Sequence, residues 1–142
     1  NNMSSNKLTR IIEFVFVFCR EEEFNTFFCN KKVASVREDT GQKCYENIFN
    51  FVEAANNDGA NPLNKATYST ELCNKLLKIY APENGLVYDP FMGSGTTAIS
   101  CVRRGLGYVG SELSENQIKF AQDRLDKEKE KIFISNNIES LF

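Results

Sequence analysis

Apolar residues fall along this chain in two periods, one of strands and one of helices. Residues 11–18, Ile-Ile-Glu-Phe-Val-Phe-Val-Phe, are β-branched and aromatic almost throughout and predict a central strand buried on both faces. A shorter run at 86–88 predicts a buried strand that ends on Asp89. Thr96 and Thr97 then open a helix whose apolar positions are Ala98, Ile99 and Val102, with Gly105 as its C-cap. Residues 107–111 predict another strand, which delivers Glu112. Strand, helix and strand together read as a βαβ unit.

Two more helices flank that unit. Ser69 or Thr70 caps the first, with Glu71 in its first turn and Leu72, Leu76, Leu77 and Tyr80 as an apolar stripe; Pro82 and Asn84-Gly85 stop it. The last opens on a capping box of Ser114 and Gln117 and repeats Ile118, Ala121 and Leu125 on one face. Residues 126–131 alternate in charge, the pattern of a solvated helical end. Between these regions Glu21-Glu22-Glu23 reads as a solvated turn and Asn56-Asn57-Asp58-Gly59 as another. Residues 45–55 fit a helix through Ile48, Phe49 and Val52, and fit strand alternation as well. At strand spacing Phe14, Phe16 and Phe18 read as core rather than as a platform for bases.

Composition narrows the classes. The 142 residues, 42% of them hydrophobic, suffice for one domain with a core. A net charge of -2 neither requires nor excludes a nucleic-acid partner, because such enzymes concentrate their basic residues locally. Lys31, Lys32 and Arg37 lie near Phe24, Phe27 and Phe28, a grouping open to two readings, a nucleic-acid backbone contact or ordinary surface. No apolar stretch reaches membrane-spanning length and no signal-peptide pattern opens the sequence. Five scattered cysteines without C-x-x-C spacing, and no histidine, argue against a disulfide framework and a zinc site. The cysteines read as small buried hydrophobes in a reduced, cytoplasmic setting.

The chemistry centres on Asp89-Pro90-Phe91-Met92-Gly93-Ser94-Gly95-Thr96-Thr97. Two glycines let the backbone turn sharply and approach a ligand at a helix N-terminus. A phosphate-binding P-loop needs a lysine before the Ser/Thr, and Gly95-Thr96-Thr97 has none. Gly93, Gly95 and Ala98 match dinucleotide spacing, but Asp89 would repel a pyrophosphate at close range. A carboxylate there suits a cationic ligand with a sulfonium and an ammonium group, S-adenosylmethionine. Glu112, about twenty residues beyond the loop, stands where a βαβ unit places its ribose-binding carboxylate.

This nine-residue motif resembles the cofactor motif of the amino-group DNA methyltransferases, which methylate adenine N6 or cytosine N4. The resemblance continues through Tyr108-Val109-Gly110-Ser111-Glu112-Leu113 and, upstream, Asn64-Lys65-Ala66-Thr67-Tyr68-Ser69. It implies an α/β fold, a Rossmann-like S-adenosylmethionine-dependent methyltransferase sheet with flanking helices, incomplete on its N-terminal side. Residues 1–62 would form a strand and a variable, DNA-contacting part, and 63–142 the cofactor-binding part of the same domain. The implied cofactor residues are Asp89, Pro90, Phe91, Gly93, Ser94, Gly95, Thr96, Thr97 and Glu112, with Lys65, Thr67 and Tyr68 around the methionine end. Asp89 would offset the positive groups with Phe91 beside it, and Glu112 would accept both ribose hydroxyls. The 64–68 loop reads alternatively as a helix cap alone. The family often has proline where Ser69 stands.

Family members activate the exocyclic amine with an Asp/Asn/Ser-Pro-Pro-aromatic segment, whose ring stacks on a base flipped from the duplex. No Pro-Pro pair occurs here, so no catalytic residue is assigned. The resemblance therefore implies the C-terminal, cofactor-binding portion of a restriction-modification methyltransferase, adenine N6 placed before cytosine N4, inactive alone. Its partners would be double-stranded DNA, reached through the complete enzyme, and a complementing chain or a second copy; neither membrane nor metal is expected. The competing readings are a nucleotide-binding Rossmann-type domain of another class and an inactive methyltransferase remnant.

Overall fold

The computed structural model describes residues 15–26, 29–30, 33–45 and 67–139. Its organising unit is a strand–helix–strand crossover. Strand β3 (Leu86–Asp89) pairs in parallel with β4 (Gly107–Gly110), in the register Leu86 to Gly107 through Asp89 to Gly110. Helix α2 (Thr96–Arg103) connects them. The ladder runs past both ends, with the Gly107 amide donating to Gly85 O (2.9 Å) and the Ser111 amide to Asp89 O (3.0 Å). The last residues of both strands are thereby fixed.

Helix α2 stops where the sequence predicts. The Gly105 amide donates to Val102 O (3.2 Å) and the Leu106 amide to Cys101 O (2.9 Å), with Gly105 at φ 67. That is a Schellman ending, in which glycine takes the left-handed position one residue beyond the cap residue Arg104. Leu106 then turns into the core beside Cys101.

Two helices pack against α2. Helix α1 (Thr70–Tyr80) begins at Ser69, whose hydroxyl accepts from the Leu72 amide at 3.2 Å. Cys73 and Leu77 of α1 meet Cys101 and Leu106, with Val87 and Tyr108 of the sheet beneath. On the other side Leu125 of α3 (Glu115–Glu139) meets Ala98 and Ile99. Arg103 crosses between the layers, donating to Glu128 through Nε (2.7 Å) and Nη2 (3.1 Å) and to the Thr70 hydroxyl (3.3 Å). One helix thus carries both halves of the core. The cysteine reading holds for Cys73 and Cys101, which are buried; Cys29 is half-buried and Cys19 exposed.

Several expectations change. In β3 only Val87 and Asp89 turn toward the helices, and Leu86 and Tyr88 are exposed. The strand is not buried on both faces because the described helices cover one side. Residues 15–18 of the expected central strand are irregular and exposed, Phe16 by 74% and Phe18 by 88%, so these two are not core. A strand needs a neighbour's edge to satisfy its backbone, and no ladder forms along this run. Residues 11–14 of that expectation, including Phe14, and most of 45–55 lie outside the described residues. The buried face of α1 is Thr70, Cys73, Leu77 and Ile79; of the predicted stripe Leu77 is buried, while Leu72, Leu76 and Tyr80 are half-buried. In α3 Gln117, Ala121 and Leu125 form the buried row, at spacings of four, and Ile118 is exposed.

Upstream, Glu21–Glu23 form an exposed 3₁₀ turn. Strands β1 (Val33–Val36) and β2 (Lys43–Tyr45) form an antiparallel hairpin closed by the Arg37 amide donating to Gln42 O (2.9 Å). Arg37 sits at this hairpin's exposed base; Lys31 and Lys32 lie outside the described residues.

Candidate functional site

The residues singled out from the sequence gather at the carboxyl ends of β3 and β4, the edge where parallel sheets hold their ligands. Between the strand end and α2 the chain makes a tight loop. The Gly95 amide donates to Met92 O (2.9 Å), and Gly93 and Gly95 take φ of 50 and 80. Both values are left-handed, a region that glycine enters without steric cost. The Met92 amide donates to Ser111 O (2.9 Å), which holds the loop against β4. A Cβ on Gly110 would fall onto the Met92 side chain, so β4 lies bare where the loop crosses it.

Asp89 is half-buried and fully engaged. Its Oδ1 accepts from the Phe91 amide (3.0 Å) and its Oδ2 from the Thr97 hydroxyl (2.5 Å). The Tyr68 hydroxyl lies 2.6 Å from Thr97 Oγ1, a hydrogen bond in which either hydroxyl can be the donor. Tyr68 also lies 3.5 Å from Asp89 Oδ2. Burial pushes the Tyr68 phenol up to about 12, the Thr97 hydrogen bond opposes that rise, and the Asp89 charge adds to it. The phenol therefore stays neutral as a donor. Burial likewise raises the Cys73 thiol, with Ser100 and Thr97 opposing.

Glu112 is bound in another way. Its Oε2 accepts from the Gly93 amide (3.0 Å), and its Oε1 from the amides of Leu113 (2.9 Å) and Ser114 (2.8 Å). The Ser114 bond foremost, then those of Gly93 and Leu113, hold this carboxyl below its ordinary range. Ser114 caps α3 through its hydroxyl, which accepts from the Gln117 amide at 3.4 Å. The Ser114 amide, which a capping box would give to Gln117, goes to Glu112 instead. One acidic side chain thus ties the glycine loop to the start of α3.

The structure therefore brings together Tyr68, Asp89, Pro90, Phe91, Gly93, Ser94, Gly95, Thr96, Thr97 and Glu112, with Thr67 immediately before Tyr68 and half-buried. Lys65 lies outside the described residues. Ser94, Thr96 and Thr97 are buried, so their backbone and hydroxyls shape the loop from within. Sequence reasoning missed two neighbours. Leu113 follows Glu112 and is fully exposed, opposite in sequence role to Phe91, which follows Asp89 by two residues and is 86% exposed. Large apolar side chains left in water beside carboxylates suit walls for a flat, partly apolar ligand. Arg124 of α3 donates through Nη1 to Ser94 O at 2.7 Å. An exposed apolar residue after each strand-end acid was the available signal for Leu113; Arg124, thirty residues from the loop, gave none.

The arrangement offers anionic oxygen at one strand end, carboxylate oxygen at the other, and glycine backbone between. Among the described residues no three His, Cys, Asp or Glu side chains converge as a metal site. Nor is any described helix long and apolar enough to cross a membrane.

The chain is similar in sequence to known methyltransferases. M.ScaI, a type II methyltransferase of Streptomyces caespitosus, is 32% identical over 68 residues, 48% of this chain and 22% of that protein. M.Cfr9I of Citrobacter freundii, also a type II methyltransferase, is 29% identical over 120 residues, 84% of this chain and 38% of that protein. The chain thus spans well under half the length of either relative. The crystal structure of an M1.HpyAVI–SAM complex aligns with 35% identity over 42% of this chain and 30% of that one, at a TM-score of 0.42. A family model for DNA methylases of the N6/N4 methyltransferase type matches residues 1–123, and the chain belongs to that family.

Proposed function

We propose that this chain is the S-adenosylmethionine-binding part of a site-specific DNA methyltransferase acting on an exocyclic amine, adenine N6 before cytosine N4. The observation that carries the reading is the pair of carboxylates, Asp89 and Glu112, at the ends of adjacent parallel strands with a glycine loop hydrogen-bonded to both. Asp89 balances the cofactor's ammonium and sulfonium. Glu112 takes the ribose hydroxyls, and Phe91 and Leu113 cover the adenine faces. Pro90 and the glycines Gly93 and Gly95 admit the ligand to the backbone; Ser94, Thr96 and Thr97 fix that backbone. Lys65, Thr67 and Tyr68 surround the methionine carboxylate, which the raised Tyr68 phenol suits as a neutral donor.

Methyl transfer also needs acceptors for the amine protons and a ring to stack on the flipped base. This sequence has no Pro-Pro-aromatic segment, so those groups belong to the complete enzyme outside these 142 residues. In that assembly 1–62 is the variable, DNA-facing part and 63–142 the cofactor part. Double-stranded DNA is the substrate of the whole.

Calorimetric titration with S-adenosylhomocysteine tests the reading, with NAD as the comparison ligand. One site per chain for S-adenosylhomocysteine and no heat with NAD is expected. Tight NAD binding without S-adenosylhomocysteine binding would make this a Rossmann-type domain of another class. Binding of neither would make it a remnant.

A further inference from the structure

The glycine loop is closed by a hydrogen bond from the Gly95 amide to Met92 O (2.9 Å), which does not engage the Ser94 carbonyl. With Gly93 and Gly95 both left-handed at φ 50 and 80, the Ser94 peptide lies between two residues that cross easily to other backbone basins. The N–H of that peptide is engaged within the loop, and its C=O is held from outside. Glu112 adds a second anchor by accepting from the Gly93 amide. Helix α3 supplies a third. Gly95 approaches it so closely that an added Cβ would lie 3.0 Å from Ala121 Cβ and 3.4 Å from its Cα. Three residues on, on the same helical face, Arg124 donates from Nη1 to Ser94 O at 2.7 Å. The Gly95 carbonyl already receives the first helical bond of α2, from the Ile99 amide (2.9 Å). Arg124 takes the carbonyl just outside it. Its guanidinium is steadied from behind by the Phe120 ring, 5.8 Å from Cζ to centroid.

We infer that Arg124 is a positioning residue for the ligand loop: it fixes the Ser94 peptide, and through it the Gly93 and Gly95 backbone, in the form that admits ligand. It touches no ligand itself. Glu112 and Arg124 then act as an opposed pair, one on the amide side of the loop and one on the carbonyl side. This rests on the S-adenosylmethionine reading of the site for its functional consequence, but not for its structural one.

The test uses the full chain and two variants, Arg124→Gln and Arg124→Lys. In the ligand-free protein, amide NMR should show Gly93 and Gly95 displaced or broadened in Arg124→Gln while the α1 and α2 resonances stay put. A charged hydrogen bond is then missing, and S-adenosylhomocysteine should bind about tenfold more weakly. Lysine keeps a cationic donor and should recover part of both signals. Unmoved glycine amides, affinity within about twofold of wild type, or an Arg124→Gln chain that fails to fold would each overturn the inference. In the last case the arginine serves the fold and not the loop. Should wild type bind no S-adenosylhomocysteine, the cofactor reading fails, and the ligand-free glycine amides still decide the role of Arg124.

Discussion

Asp89 and Glu112 close neighbouring strands, yet their charges are held by different kinds of partner. Asp89 leans on side chains, Thr97 and through it Tyr68, with one amide from Phe91. Glu112 accepts from three backbone amides, one of them in the loop that leaves Asp89. A charge held by side chains can be retuned by one substitution. A charge held by backbone changes only when the loop or helix start moves. The Asp89 end is therefore chemically adjustable, and the Glu112 end reports on the integrity of the fold.

The sharpest break of this contrast is Asp89→Ala. It removes the anion and strands two hydroxyls, and S-adenosylhomocysteine affinity in calorimetry should fall about 100-fold, in line with loss of a charged hydrogen-bond partner. The loop itself should survive, with the Gly93 amide still shifted by Glu112. Thr97→Val comes next. It keeps shape but removes the hydroxyl between Tyr68 and Asp89. Affinity should fall roughly tenfold. Because the Thr97 bond opposes the rise of the Tyr68 phenol, the tyrosinate absorbance of the valine variant should emerge at higher pH than in wild type. Glu112→Gln should weaken binding by about a further several-fold less than Asp89→Ala, since an amide oxygen still accepts but without charge. Its signature lies elsewhere: the Gly93, Leu113 and Ser114 amides should all move together.

Titration gives the smallest effect and separates the two ends by sign. Glu112 has a lowered carboxyl, so its contribution is present above the ordinary value of 4.5 and is lost as pH falls through its folded value. Tyr68 is raised, so its contribution is complete below 10.0 and is lost as pH rises through about 12. Thermal melting across pH should show Glu112→Gln flattening the acid limb and Tyr68→Phe the alkaline limb. Effects on the reversed limbs would contradict the assignment.

What was legible in the sequence was local. An apolar run ending on Asp89, a Gly-x-Gly turn, a helix ended by Gly105 and an acid about twenty residues on each follow from short-range sterics and charge, and the strands, α2 and the loop stand where those signals put them. What failed depended on neighbours. Residues 15–18 are apolar throughout, like a buried central strand, but such a run cannot show whether an adjacent edge exists, and Phe16 and Phe18 stack on each other in solvent at 6.3 Å instead. Of the leucines of α1 only Leu77 is buried, and Cys73 turns inward beside it because α2 presents Cys101 there. Helix α3 runs on through the alternating charges to Glu139, and its last turns leave Phe133, Ile134 and Ile138 exposed. The partners of Glu112 are backbone atoms, which no side-chain motif announces. The contact from Arg124 joins residues thirty apart and exists only once α3 is docked.

The central claim is that both strand-end acids serve one ligand, and a structure of the chain with S-adenosylmethionine tests it most directly. The account expects the ammonium and sulfonium beside Asp89, the ribose on Glu112, and the adenine between Phe91 and Leu113. A ligand seated elsewhere, or the two carboxylates turned toward separate crevices, would contradict it.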